Sequence, residues 1–256
     1  MMTTYRGQVI WIIGASSGIG LALAHELSGR GATLILSARR QDELEQLRAA
    51  LGAEHKVYPL DVTDAELVQR TATAAQAACG RVDRVIFLAA AYTPMPLTDL
   101  DLKAVKTIVD TNIMGAFNVV QAVLPLFKVQ TGRGQLALCG SVAGYIGLPN
   151  GQPYSATKAA VLNLAESLRA ECQDGIDIKL ISPGFVRTPL TDKNDFHMPM
   201  MIVPERAAKE IAEGLLTRRF EIHFPKALTL PAKLLRLLPY GLALHLTRTL
   251  TSKGEY

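Results

Sequence analysis

Tyr154 and Lys158 stand four residues apart in Tyr154-Ser155-Ala156-Thr157-Lys158, inside a stretch of helical pattern that spans 154–173. Side chains at that spacing share one helix face. A free tyrosine titrates at about 10, too high for easy proton exchange near neutrality. An ammonium beside it favours the phenolate and lowers that value, which makes an acid/base pair. Ser141 lies thirteen residues before Tyr154, just past a β-rich run, where its hydroxyl can hydrogen-bond a carbonyl or alkoxide oxygen. The plain alternative for the Tyr/Lys pair is a surface contact. Its meaning depends on what surrounds it.

A second constellation opens the chain. The run Val9–Ile13 leads into Gly14-Ala15-Ser16-Ser17-Gly18-Ile19-Gly20, and a helical pattern follows at once. Glycines here allow a tight turn and let a pyrophosphate reach the backbone at the positive end of a helix. Close packing of helix on strand is the plain alternative. The second run ends Leu36-Ser37-Ala38-Arg39-Arg40. Dinucleotide folds select their cofactor at this place, with an acid for the ribose hydroxyls of NAD or an arginine for the extra phosphate of NADP. Ala38 offers no carboxylate and Arg39 offers a forked donor, so NADP(H) is expected, with Ser16 adding a hydroxyl to the same phosphate. Otherwise Arg39 and Arg40 are solvated cations at a helix start, where the dipole disfavours them.

These residues need a scaffold, and the rest of the chain supplies its pattern. Apolar runs at Val9–Ile13, Thr33–Leu36, Lys56–Leu60, Arg84–Leu88, Gln135–Cys139, Ile176–Ile181 and Phe220–Phe224 alternate with helical patterns near 18–29, 41–51, 64–79, 101–129, 154–173 and 204–217. Continuously apolar runs are parallel strands covered on both faces. The expected fold is α/β: a Rossmann-like, doubly wound parallel sheet of about seven strands. One domain spans 1–225, with 188–203 as a substrate lid and 226–256 as an appendage. Ligands of such sheets bind beyond the carboxyl ends of the strands, where the motifs above fall.

At 49% apolar and 20% charged residues the chain is neither disordered nor collagen-like. Its longest unbroken apolar run, Val85 to Tyr92, is far short of the roughly 18–20 residues of a membrane span. No signal-like segment opens it, and the expected location is cytoplasmic. Cys79, Cys139 and Cys172 have no metal-ligand spacing and suit free thiols in a reducing compartment; the histidines are scattered and no metal site is expected. Charge is balanced through residue 225, whereas the tail holds Lys226, Lys233, Arg236, Arg248 and Lys253 against Glu255 alone. That density is too low for nucleic acid.

Taken in order, the glycine turn, Asp61 in Leu60-Asp61-Val62, Asn112 in Thr111-Asn112-Ile113-Met114-Gly115, Ser141, Tyr154 to Lys158, and Pro183-Gly184-Phe185-Val186-Arg187-Thr188 resemble the motif set of the short-chain dehydrogenase/reductase family over residues 7–225. The resemblance implies a catalytic set of Asn112, Ser141, Tyr154 and Lys158, in which Asn112 supports a proton-relay water. It places Asp61 and Val62 at the adenine, Lys158 also on the nicotinamide ribose, and Pro183, Gly184, Val186 and Thr188 over the nicotinamide. A helix-kink amide for Asn112 and a helix-capping carboxylate for Asp61 are the structural alternatives. Two positions depart from the family: Ile13 replaces a threonine, and Phe87-Leu88-Ala89-Ala90 replaces Asn-Asn-Ala-Gly, leaving Ala89 at the cofactor. A homodimer or homotetramer is the family's usual assembly.

The expected function is NADP(H)-dependent carbonyl reduction or the reverse alcohol oxidation, with Tyr154 as acid/base and Ser141 orienting the substrate oxygen. The rival is a non-catalytic NADP-binding or membrane-peripheral interaction protein; an epimerase of the superfamily usually needs a longer C-terminal part. Phe196, Met198, Met200, Met201 and Ile202 suit a lid over a lipophilic substrate, or equally core packing. Leucines fill 226–251 around Lys233 and Arg236, the pattern of a short basic amphipathic helix at the inner membrane face or of a segment packed on the protein.

Overall fold

The computed structural model describes residues 4–130, 134–172, 175–196 and 198–251. His197, Lys253 and Glu255 lie outside that description. Seven strands, β1 (Val9–Ile13), β2 (Thr33–Ser37), β3 (Lys56–Val57), β4 (Arg84–Phe87), β5 (Gln135–Cys139), β6 (Asp177–Pro183) and β7 (Glu221–Phe224), form one parallel sheet in the order β3-β2-β1-β4-β5-β6-β7. The chain winds outward from β1 to β3 and then returns past β1 to β4. The crevice between β1 and β4 is therefore the switch point at which such sheets bind ligands.

Alternate side chains of each strand feed two layers. Trp11 and Ile13 pack with α3 (Ala65–Cys79), α5 (Gly115–Val129) and α6 (Gln152–Glu171) through Val68, Val119, Val123 and Val161. Ile10 and Ile12 face α1 (Gly18–Gly29), α2 (Gln41–Leu51) and α7 (Pro204–Leu215) through Leu23, Leu44 and Ile211. Two covered faces explain why the strands read as apolar without alternation. β3 stops at Val57, short of the expected Leu60, although Tyr58 and Leu60 still donate backbone N–H groups to Leu36 and Ala38.

The helical pattern expected over 101–129 contains a break. α4 (Leu102–Val109) passes into a π-helical turn at Asp110–Met114 before α5 begins. By length and composition Leu102–Val129 could cross a membrane. Here Ala116, Val119, Val123 and Phe127 bury one side of it in the core. Beyond β7 the tail forms two helices, α8 (Lys226–Leu237) and α9 (Tyr240–Thr251), where the sequence suggested one. α8 lies against the edge strand β7.

Candidate active site

A cleft of about 700 Å³ opens above the carboxyl ends of β1, β4, β5 and β6. At one end it is lined by Gly14, Ser16, Ser17, Gly18, Ile19 and Gly20, beside Arg39, Arg40, Asp61 and Val62. Ala89 forms part of the middle; Ser141, Tyr154, Lys158, Pro183, Gly184, Val186 and Thr188 line the other end. Only Asn112 among the expected site residues lies outside this lining.

The glycine turn is shaped by close approach. Gly14 has φ +99°, and a Cβ there would lie 2.7 Å from the Ala89 nitrogen. A Cβ on Gly20 would come within 2.0 Å of the Gly14 carbonyl oxygen. No side chain can be added at either place without moving backbone. No side chain caps the first turn of α1, so its leading N–H groups and the positive helix end remain directed to an anionic ligand. Gly14 and Gly20 thus meet the close packing of the turn against the Ala89 backbone and of α1 against the turn itself.

At the neighbouring corner the Arg40 guanidinium donates to Ser16 Oγ at 3.3 Å and pairs with Glu43 at 2.7 Å. Both arginines and Ser16 border the cleft, with Ala38 beside them. Asp61 Oδ1 accepts from the Thr63 N–H at 3.0 Å and the Thr63 hydroxyl at 2.8 Å. Capping of α3 falls to Asp64, which accepts from the Leu67 N–H, so the capping alternative for Asp61 does not hold.

Ser141 ends β5's exit and opens a 3₁₀ turn, its Oγ accepting from the Ala143 N–H at 3.1 Å. Tyr154 sits in the first turn of α6 and Lys158 one turn on, which brings both to the Ser141 wall. The pairing differs from the expectation of a phenol lowered by its lysine. The Lys158 ammonium donates to the Cys139 carbonyl at 2.8 Å and lies 5.5 Å from the centre of the Tyr154 ring. Burial is the largest influence on Tyr154 and pushes its pKa above the ordinary tyrosine value; a hydrogen bond with Ser141 pulls it down by less. Burial likewise lowers Lys158. The physical reason is desolvation, which penalises either charged form unless a counter-charge touches it.

Asn112 is fully buried at the π turn and braces a loop. Its Oδ1 accepts from the Ala91 N–H at 2.7 Å, and its Nδ2 donates to the Ala91 carbonyl and to Thr157 Oγ1, each at 3.0 Å. Its side chain, as the kink-amide alternative has it, ties the loop at Ala91 to Thr157 on α6. The amide-free segment after β4 is held by an amide from elsewhere.

Sequence reasoning missed Tyr92. Its ring meets Tyr154 edge-on, with centroids 4.9 Å apart and planes at 65°. Its hydroxyl donates to Asn194 Oδ1 at 2.5 Å, and Lys193 Nζ donates to its carbonyl oxygen at 2.7 Å. These bonds join the loop after β4 to the 188–203 segment across the cleft. The available signal was its position, closing the apolar run at the carboxyl end of β4. The lid expectation is also corrected in detail: Pro189, Leu190, Thr191 and Lys193 line the cleft. Phe196, Met198, Met200, Met201 and Ile202 do not. Ile202 is core, bridged to Val186, while Phe196 and Met200 face outward.

Comparison with known proteins places this geometry. Residues 8–198 match the family model of the short chain dehydrogenases. An uncharacterized oxidoreductase of Myxococcus xanthus is 34% identical over 232 residues, covering 89% of this chain and 91% of its own length. One from Mycobacterium tuberculosis is 36% identical over 208 residues, covering 78% and 82%. Among solved structures, a Burkholderia phymatum short chain dehydrogenase/reductase in complex with NAD superposes with a TM-score of 0.83 at 24% identity, over 91% of this chain and 94% of that one. An actinorhodin polyketide ketoreductase variant with NADPH gives 0.78 at 24% identity, over 89% and 99%. With its sheet order, its glycine turn and its Ser-Tyr-Lys wall accounted for, the chain belongs to the short-chain dehydrogenase/reductase family of oxidoreductases, which bind a nicotinamide cofactor.

Proposed function

We propose that the protein reduces a carbonyl group, or oxidises the corresponding alcohol, of a small molecule with NADP(H). The observation that carries this reading is the convergence of Ser141 and Tyr154 on one wall of a cleft whose far corner holds Ser16, Arg39 and Arg40. The glycine turn fits a pyrophosphate because it leads into the first turn of α1, whose N–H groups no side chain caps, at the edge of the cleft. Gly14 to Gly20 would hold the pyrophosphate, Asp61 and Val62 the adenine side, Arg39 with Ser16 the extra phosphate, and Lys158 the ribose. When bound, the cofactor supplies or accepts the hydride.

The remaining steps belong to the chain itself. Ser141 Oγ hydrogen-bonds the substrate oxygen and fixes its position against Tyr154. The Tyr154 phenol, kept protonated by its surroundings, gives its proton to that oxygen in reduction and takes it back in oxidation. Lys158 holds the Cys139 carbonyl and stands over the Tyr154 ring, where its positive charge favours the phenolate as it forms. Tyr92 packs edge-on against the Tyr154 ring and walls that side of the site.

NADPH consumption, followed with a panel of ketones and aldehydes, tests the proposal. Tyr154→Phe should lower turnover at least about a hundredfold, the usual scale of a positioned acid. NADPH binding should stay near wild type, because only the transferable proton is removed. A Phe variant that retains most of its rate would disprove the proton-donor assignment. Wild-type protein that binds NADPH but reduces nothing in the panel would favour a non-catalytic binding protein.

A further inference from the structure

We propose that the outward face of α8 and α9 is a docking surface for an anionic lipid bilayer, with the two helices lying in the membrane interface. The way α8 is turned points to it. Thr229 is fully buried, its hydroxyl 2.6 Å from His223 Nδ1 and 3.2 Å from the Pro225 carbonyl oxygen. Lys233 reaches inward to pair with Glu221 on β7, its ammonium 5.7 Å from the centre of the Tyr145 ring. Glu221 also accepts from the Tyr145 hydroxyl. These polar groups therefore occupy the inner side of the helix.

The outer side carries Leu230, Leu234 and Leu237, which are 50%, 62% and 80% exposed. Spaced by four and three, they form one stripe. Tyr240, 84% exposed, and Leu244, 54% exposed, extend it onto α9. A helix packed only for its own stability buries its leucines and leaves its lysine in water. Here Leu228, Ala232 and Leu235 are half-buried on the inner side, and the Lys233–Glu221 pair holds the helix so that Leu230, Leu234 and Leu237 stay outside.

Charge selects the occupant. Lys226 and Arg236 flank the stripe and are exposed, and no Asp or Glu occurs from 226 to 254. A second copy of the chain on this face would set these cations against their own counterparts, with no carboxylate in either segment. An anionic headgroup layer satisfies the cations while its acyl boundary takes the leucines. Each helix has 12 residues, about 18 Å, too short for a hydrocarbon core of about 30 Å. The segment therefore lies on the bilayer and does not cross it.

Flotation of the full chain with vesicles tests this independently of turnover. One set is phosphatidylcholine alone; the other contains phosphatidylglycerol; each is run at low and high salt. The expected result is binding to the phosphatidylglycerol vesicles at low salt and release at high salt. Lys226→Gln with Arg236→Gln should weaken binding about thirtyfold, roughly fivefold for each cation. Leu230→Gln, Leu234→Gln and Leu237→Gln together should abolish it without changing the melting temperature, and if that variant misfolds the charge variant still carries the test. A full chain that ignores phosphatidylglycerol vesicles at low salt overturns the proposal. So does binding that salt and both variants leave unchanged. If the vesicles are ignored and the leucine variant dissociates an assembly seen by light scattering, the face belongs to a second copy of the chain.

Discussion

A phenol partly enclosed by protein gives up more solvation on becoming an anion than it does in water, and Tyr154, half-buried on the cleft wall, is in that position. Its pKa stands above the ordinary value of about 10, so the proton is on Oη throughout the neutral range. Reduction needs that proton and oxidation needs it gone. The reductive rate should therefore stay flat from neutrality to about pH 9, while the oxidative rate climbs with pH across the same interval. Initial rates in both directions at constant ionic strength measure this; a reductive rate that collapses between neutrality and pH 8 would place the acid elsewhere. Arg39 makes a second prediction at this scale. A charge-assisted hydrogen bond contributes about 1.5–3 kcal/mol, so Arg39→Ala should weaken NADPH by about ten- to hundredfold and leave NADH nearly unchanged. Titrations with both cofactors decide it: equal losses would make Arg39 structural. Arg40 is already engaged by Ser16 and Glu43, and its loss should matter less.

Elements set these residues in place, and two of them act across the cleft. The π turn between α4 and α5 brings Asn112 to both backbone groups of Ala91. Asn112→Leu keeps the volume and leaves those partly buried groups and the buried Thr157 hydroxyl without the amide, which should cost about 1–3 kcal/mol in urea unfolding and loosen the Ala89 wall. The second device is the contact between Tyr92 and Asn194. Tyr92→Phe preserves the edge-on packing against Tyr154 and removes only the hydroxyl that bonds Asn194 in the 188–203 segment. A neutral hydrogen bond contributes about 0.5–1.5 kcal/mol, so KM for the carbonyl substrate should change about two- to tenfold while NADPH affinity stays put. Equal changes in both would mean that Tyr92 holds the whole cleft and not the 188–203 segment alone. Of the first device only the kink-amide alternative for Asn112 was legible beforehand, and of the second nothing was. A π turn needs one extra backbone residue that leaves no mark in apolar periodicity, and a bond between residues 92 and 194 joins segments the chain itself keeps apart.

Across the whole molecule, the sheet is tied at the end opposite the cleft by a buried polar belt. Arg84 is enclosed among Gln8, Gln135 and the Leu215 carbonyl, with its guanidinium 5.3 Å from the Tyr5 ring. Arg84→Ala should destabilise the fold by about 3 kcal/mol, because the other members lose a charged partner they cannot replace with water. For a chain of this size that is a fall in melting temperature of about 6–12 °C. KM should not change, the belt being at the far end of the strands. The amino-acid sequence determined the sheet: seven apolar runs, buried from both sides, admit little besides parallel strands under helices. It also determined which residues gather at the cleft, since parallel strands all deliver their carboxyl ends to one side, and the turns after β1, β2 and β5 follow from that rule. Only the tertiary structure decided how they behave. It turned the Lys158 ammonium to a carbonyl, raised Tyr154 by burial, set the Asn112 side chain as a brace, put Tyr92 beside Tyr154 and rotated α8 so that Leu230, Leu234 and Leu237 face outward. Each depends on which groups from distant segments exclude water from one another, and desolvation is a property of the assembled surface that no spacing along the chain encodes.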